Sequence, residues 1–334
     1  MSTDVNAMVV MAMLFLVTYA WISLFAKLLR GNEILPFEPR RETPWGLIAV
    51  LLSFFLLIGC QIAVGLAFGA TPDAELTVAQ TDTLLTWNAV AILAATLASM
   101  GLIHLFARVG REDFGISLEH VPRDIFIGIY AFLILAPITF GIQYLFVYVF
   151  EIESHHPLIE LLKDDSTGSL FAIVTVLAVV VAPISEEYFF RVLLQGWLER
   201  VLRFRITHDP EVEHPSRSDV AHSGEDETQG SMGVTPESES NPYSPPVPIP
   251  ALDRHTDSSV VPNASSIPIV ISAAVFALMH WSHGPDPAAL FILAMGLGYL
   301  YQRTHRWLPC VVTHACLNGT TMLLLWFGLD ELPS

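Results

Sequence analysis

The chain has 334 residues, of which 53% are hydrophobic and only 15% charged, against roughly 25% charged in ordinary soluble domains. That composition argues against a cytosolic globular enzyme. The formal charge of -17, from 33 acids against 16 bases, argues against nucleic acid as a partner, because neutralising phosphates needs clustered Lys and Arg.

The apolar residues come in blocks of about 20, each long enough to cross a bilayer core of roughly 30 Å. They run at about 7–29, 45–70, 83–107, 125–150, 169–198, 267–283, 288–303 and 307–328. The fold expected is all-α, a polytopic transmembrane helical bundle of about eight membrane helices. The first block is expected to stay as an anchor, since its head carries Asp4 and no base while Lys27 and Arg30 follow it, the reverse of a signal peptide. Cys60, Cys310 and Cys316 all lie within apolar blocks and are expected to be packing residues.

Basic residues set the orientation of such a chain. Lys27, Arg30, Arg40 and Arg41 follow the first block, and Arg108, Arg111 and Arg123 the third. Arg200, Arg203, Arg205, Arg217 and Arg254 follow the fifth, and Arg303 and Arg306 the seventh, which puts 14 of the 16 bases on one side. Lys163 stands alone on the other, among Glu151, Glu153, Glu160, Asp164 and Asp165. Both termini are therefore expected outside the cytoplasm, in an integral protein of the plasma (inner) membrane.

Residues 206–266 break the series. They hold nine of the 22 prolines and eleven acids against two bases, with PYSPPVPIP at 242–250. Such a segment buries too little apolar surface to offset the entropy of ordering, and reads as a disordered cytoplasmic loop, either a linker or a docking segment of polyproline II character. The expected organisation is helices 1–4 over 1–150, a core over 151–205 and 267–328, the loop at 206–266 and a tail at 329–334.

Ionisable groups at bilayer depth are functional candidates by default. The fifth block contains APISEEYFFR, with Glu187 and Arg191 at i,i+4, where they pair along one helical face. Glu186, rotated by about 100°, faces another neighbour and is the more reactive candidate. Pro183 removes a backbone donor just before it and favours a kink. His280 lies in FALMH of the sixth block, with Phe276 on the same face. His314 and Asn318 lie in HACLN of the eighth, again i,i+4. A salt-bridge network without chemistry explains the first segment alone. One carboxylate and two imidazoles on three helices are what a water-activating or metal-holding site requires. At about 1.5 Å per residue, Glu186 and His280 should lie ~20 Å from the cytoplasmic helix ends and His314 ~10 Å. The remaining histidines, including His104, His120, His155, His156, His283 and His305, sit at helix ends or in loops.

The three segments EEYFFR, FALMH and HACLN resemble, in order, the motifs EExxxR, FxxxH and HxxxN of the CPBP family of CAAX proteases and bacteriocin-processing or immunity proteins. The resemblance covers about 155–328. It implies an intramembrane endopeptidase acting on a membrane-associated protein or peptide, in which Glu186 activates the attacking water. His280 and His314 hold that water or, with Glu186, a divalent metal such as zinc. Asn318 donates to the oxyanion, and Glu187 and Arg191 orient the site. Metal-free activation of water by Glu186 remains open. Other membrane proteases fit poorly: no HExxH occurs, and Gly296-Leu297-Gly298 is followed by Tyr299 rather than Asp. The rival readings are a non-catalytic binding or immunity protein of the same fold, and a proton or ion transporter using Glu186 and Glu187.

Overall fold

The computed structural model describes residues 3–38, 40, 42–69, 76–152, 161–162, 168–207, 265–283 and 286–327. The chain divides into two units, 1–204 with 265–334, and 205–264. Nearly all of the second unit, and with it the acidic loop expected at 206–266, lies outside the described residues. So do the tail 329–334, His155, His156 and Lys163.

Among the described residues there are eight helices and no strand. They are α1 (Thr3–Leu29), α2 (Leu47–Ala67), α3 (Val78–Ala107), α4 (Val121–Tyr144, extended by a π turn over Leu145–Val149), α5, α6 (Ile267–Leu278), α7 (Asp286–Thr304) and α8 (Trp307–Trp326). α5 begins at Gly168 and is composite: α-helical Gly168–Val176, π-helical Leu177–Val181, α-helical Ala182–Glu187, π-helical Tyr188–Gln195 and α-helical Gly196–Thr207. The fold is the all-α membrane bundle that the apolar blocks imply. Six of the helices are long and apolar enough to cross a bilayer. α6 and α7 are not among these six: the 12 residues of α6 extend only ~18 Å, and the chain tightens after it into a 3-10 turn, Trp281–His283.

The outer helices are apolar all round, as a helix between lipid and protein must be. Phe15, Leu52, Phe55 and Phe106 are all exposed, which suits hydrocarbon and not water. The inner helices meet through small residues. A Cβ on Gly128 of α4 would stand 2.7 Å from the Val312 Cβ and 2.8 Å from the Pro309 carbonyl of α8, so only glycine lets these backbones cross so closely. Thr313 Oγ1 of α8 closes the same contact by donating to the Gly128 carbonyl at 2.9 Å.

The segment between α1 and α2 seals one end of this packing. Thr43 Oγ1 donates to the Gly196 carbonyl at 3.0 Å and Trp45 Nε1 to that of Leu193 at 3.2 Å. Arg40 donates to the Tyr301 hydroxyl at 2.5 Å and pairs with Glu199 at 3.2 Å. Burial works against the Arg40 charge, but Tyr301 and Glu199 outweigh it and hold its pKa above the ordinary value. The α7–α8 turn is also buried, at Thr304, His305 and Arg306. Arg306 reaches Asp124 at 2.6 Å and also pairs with Glu38. The start of α8 is therefore held against the first turn of α4 and the α1–α2 segment.

Candidate active site on α5, α6 and α8

The core of the site is a buried ion pair on α5. Arg191 Nε donates to Glu187 Oε2 at 3.0 Å, and both side chains are 0% exposed. Burying two charges is tolerable only when they are paired and further hydrogen-bonded. Arg191 Nη1 donates to Ser272 Oγ of α6 at 3.3 Å, and Ser272 Oγ donates to the Phe190 carbonyl at 2.9 Å. The guanidinium also lies 5.5 Å from the Phe276 ring centroid, within cation–π range. Ser272 is an orienting residue that the motifs do not mark; its only signal in the sequence is a lone hydroxyl in the apolar run IPIVISAAVFAL.

The second oxygen of Glu187 reaches α8: His314 Nδ1 donates to Glu187 Oε1 at 2.9 Å. A carboxylate paired with Arg191 can only accept, so Nδ1 carries the hydrogen. In the neutral ring Nε2 is then the acceptor nitrogen, and it faces Glu186 Oε2 at 3.8 Å. Glu186 is 28% exposed where its neighbour Glu187 is fully buried, the difference that the 100° offset between adjacent helical positions predicts.

His280 follows the last turn of α6. Its Nδ1 donates to the Phe276 carbonyl at 2.9 Å, which fixes the same tautomer as in His314 and leaves Nε2 as its acceptor nitrogen. The Phe276 ring touches both imidazoles, with centroids 4.9 Å from His280 and 6.1 Å from His314. His314 of α8 therefore faces Glu186 of α5, and the Phe276 ring of α6 stands beside both imidazoles. Asn318 lies one turn beyond His314, and its Nδ2 donates at 2.8 Å to the Ala178 carbonyl of α5.

As a metal site, the donor set has suitable chemistry: a carboxylate and two imidazole nitrogens, each ring oriented by a hydrogen bond from its other nitrogen, as metal-bound histidines are. The spacing does not match. Among the described residues no three His, Cys, Asp or Glu side chains cluster as a metal-ion site. A cavity of about 490 Å³ lies elsewhere, between α1, α4 and α7, with Lys27, Arg123, Tyr130 and Gly296 among its lining residues.

With this geometry described, the comparisons with known proteins can be placed on it. Residues 249–320 match the family model of Rce1-like type II CAAX prenyl endopeptidases. That segment is similar to this family. The match bears out the resemblance read from the three motifs, and it takes in α6, α7 and α8 as far as Thr320, with His280, His314 and Asn318. Glu186, Glu187 and Arg191 lie outside it and are joined to the Rce1-like segment by the hydrogen bond from His314 to Glu187. No curated protein and no solved structure matches the chain.

Proposed function

We propose that the protein is an intramembrane endopeptidase in which Glu186 activates water to hydrolyse a peptide bond of a membrane-associated substrate. One observation carries the reading: His314 donates to buried Glu187 on one side and presents Nε2 to the more open Glu186 on the other. That is an oriented imidazole beside a carboxylate able to act as a base. The Rce1-like segment supports a peptidase, and by its family description a substrate whose C-terminal peptide follows a prenylated cysteine.

The chemistry follows from the two tautomers. A water among Glu186, His280 and His314 would donate one hydrogen to Glu186 and the other to an imidazole Nε2. Glu186 takes its proton as the oxygen attacks the scissile carbonyl carbon, then returns it to the departing amine nitrogen as the C–N bond breaks. The products are a carboxyl group and a free amine, with Glu186 restored. Arg191 and Glu187 touch no reacting atom in this scheme. They hold His314 in place, much as a carboxylate orients the imidazole of a hydrolytic triad. No step in this scheme requires a metal. The excess of bases between alternate helices supports a cytoplasmic location for the α1–α2 and α7–α8 turns and extracytoplasmic termini, in the plasma (inner) membrane.

The direct test is cleavage of a farnesylated peptide by the full chain in lipid vesicles, with the unprenylated peptide as control. Release of the C-terminal fragment, lost in Glu186→Gln, is expected. Equal cleavage by Glu186→Gln would refute the assignment.

A further inference from the structure

Pro183 lies three residues before Glu186 and leaves a gap in the backbone of α5. Leading into it, Leu177–Val181 is π-helical, and the Ala182 N–H bonds to the Leu177 carbonyl, five residues back. The next carbonyl in this register is that of Ala178, and its donor would be residue 183. Proline has no N–H. The ordinary α-helical donor to Ala178 would be the Ala182 N–H, already given to Leu177. The Ala178 carbonyl is therefore orphaned in both registers, inside a stretch long and apolar enough to cross a bilayer, where an unsatisfied backbone group is costly. The Asn318 Nδ2 of α8 donates to this oxygen at 2.8 Å.

We infer that Asn318 is a positioning residue whose amide replaces the N–H that Pro183 lacks, holding the segment of α5 that presents Glu186. The inference deepens the hydrolase reading and rests on it: one Nδ2 hydrogen of Asn318 serves the backbone of α5. Its i,i+4 relation to His314 makes the role economical. One face of α8 grips α5 at two points, with His314 on Glu187 and Asn318 on Ala178. Prolines and π turns are the usual sites of helix kinks. From Ala178 to Glu186 the lever is ~12 Å, so a tilt of about 5° displaces the carboxylate by ~1 Å, enough to cost on the order of 100-fold in rate at a reacting centre.

The test is a double-mutant cycle with Pro183→Ala, which restores a backbone N–H at the gap, read out as both thermal unfolding and turnover of the full chain in detergent–lipid micelles. Asn318→Ala in the native background is expected to lower Tm by about 2–4 °C, as losing one buried hydrogen bond would, and turnover by tenfold or more. In the Pro183→Ala background the same substitution should cost less than about 1 °C and only a small fraction of that rate loss. Equal Tm losses in the two backgrounds overturn the proposal. Recovery of Tm without recovery of turnover also overturns it, since a direct oxyanion donor would behave so. Should Pro183→Ala fail to fold, the carbonyl carbon-13 shift of labelled Ala178 decides: it is expected to move on Asn318→Ala, and an unchanged shift refutes the bond. The Tm cycle and the carbonyl shift need no substrate, so they stand whether or not Glu186 proves to be the base.

Discussion

Removing Arg191 tests the buried pair on which the site rests. Arg191→Met deletes the 3.0 Å ion pair with Glu187, the bond to Ser272 and the contact with the Phe276 ring, and leaves a fully buried carboxylate with His314 as its remaining partner. Breaking a buried pair from one side costs about 3–5 kcal/mol. At roughly 2 °C per kcal/mol for a chain of this size, Tm should fall by about 6–10 °C. Glu187→Leu combined with Arg191→Met removes both charges. The penalty that remains is the His314 Nδ1–H left without an acceptor, about 1–3 kcal/mol. The double variant should therefore be more stable than Arg191→Met alone. Intrinsic-fluorescence melting of the purified protein in one detergent gives all four corners of the cycle. A double variant that loses the sum of the two single losses, or an Arg191→Met that loses less than about 1 kcal/mol, would refute the coupling.

Three further outcomes follow. His314→Ala and His280→Ala should each lower the turnover of the farnesylated peptide by about 100-fold or more, the range of a lost group in acid–base catalysis, while each protein still inserts and binds the peptide; turnover within threefold of the native protein would remove that histidine from the site. Gly128→Leu should overpack the α4–α8 crossing, costing about 1–3 kcal/mol in thermal unfolding, and an unchanged Tm would mean that the helices are farther apart than the 2.7 Å approach indicates. Dialysis against 1,10-phenanthroline should leave cleavage within about twofold, with less than one zinc per chain by mass spectrometry, since a structural or catalytic zinc needs three or four clustered protein donors; a stoichiometric metal whose removal abolishes activity would restore Glu186, His280 and His314 as its ligands.

The sequence carried the bundle and the polar residues inside it, because lipid permits few charges and so makes each one conspicuous. The i,i+4 pairing of Glu187 with Arg191 was legible for the same reason. The anchoring of α8 was not, because Arg306 pairs with Asp124 and Glu38 from distant parts of the chain. Nor was the length of α6, since FALMHW stays apolar past the point where the His280 N–H bonds three residues back to Ala277 and the helix tightens. The two π-helical stretches of α5 had only Pro183 as a signal. Without them the sequence offers no reason for Asn318 to reach a backbone carbonyl of α5, which in the structure accepts from its Nδ2.

The measurement closest to the centre is single-turnover cleavage of a prenylated peptide in vesicles by the native chain and by Glu186→Gln, an exchange that keeps the shape of the side chain and removes its ability to take a proton. The native chain should release the C-terminal fragment, and the variant should bind the same peptide without releasing it. Comparable release by both would show that Glu186 is not the base and that the convergence of α5, α6 and α8 serves packing.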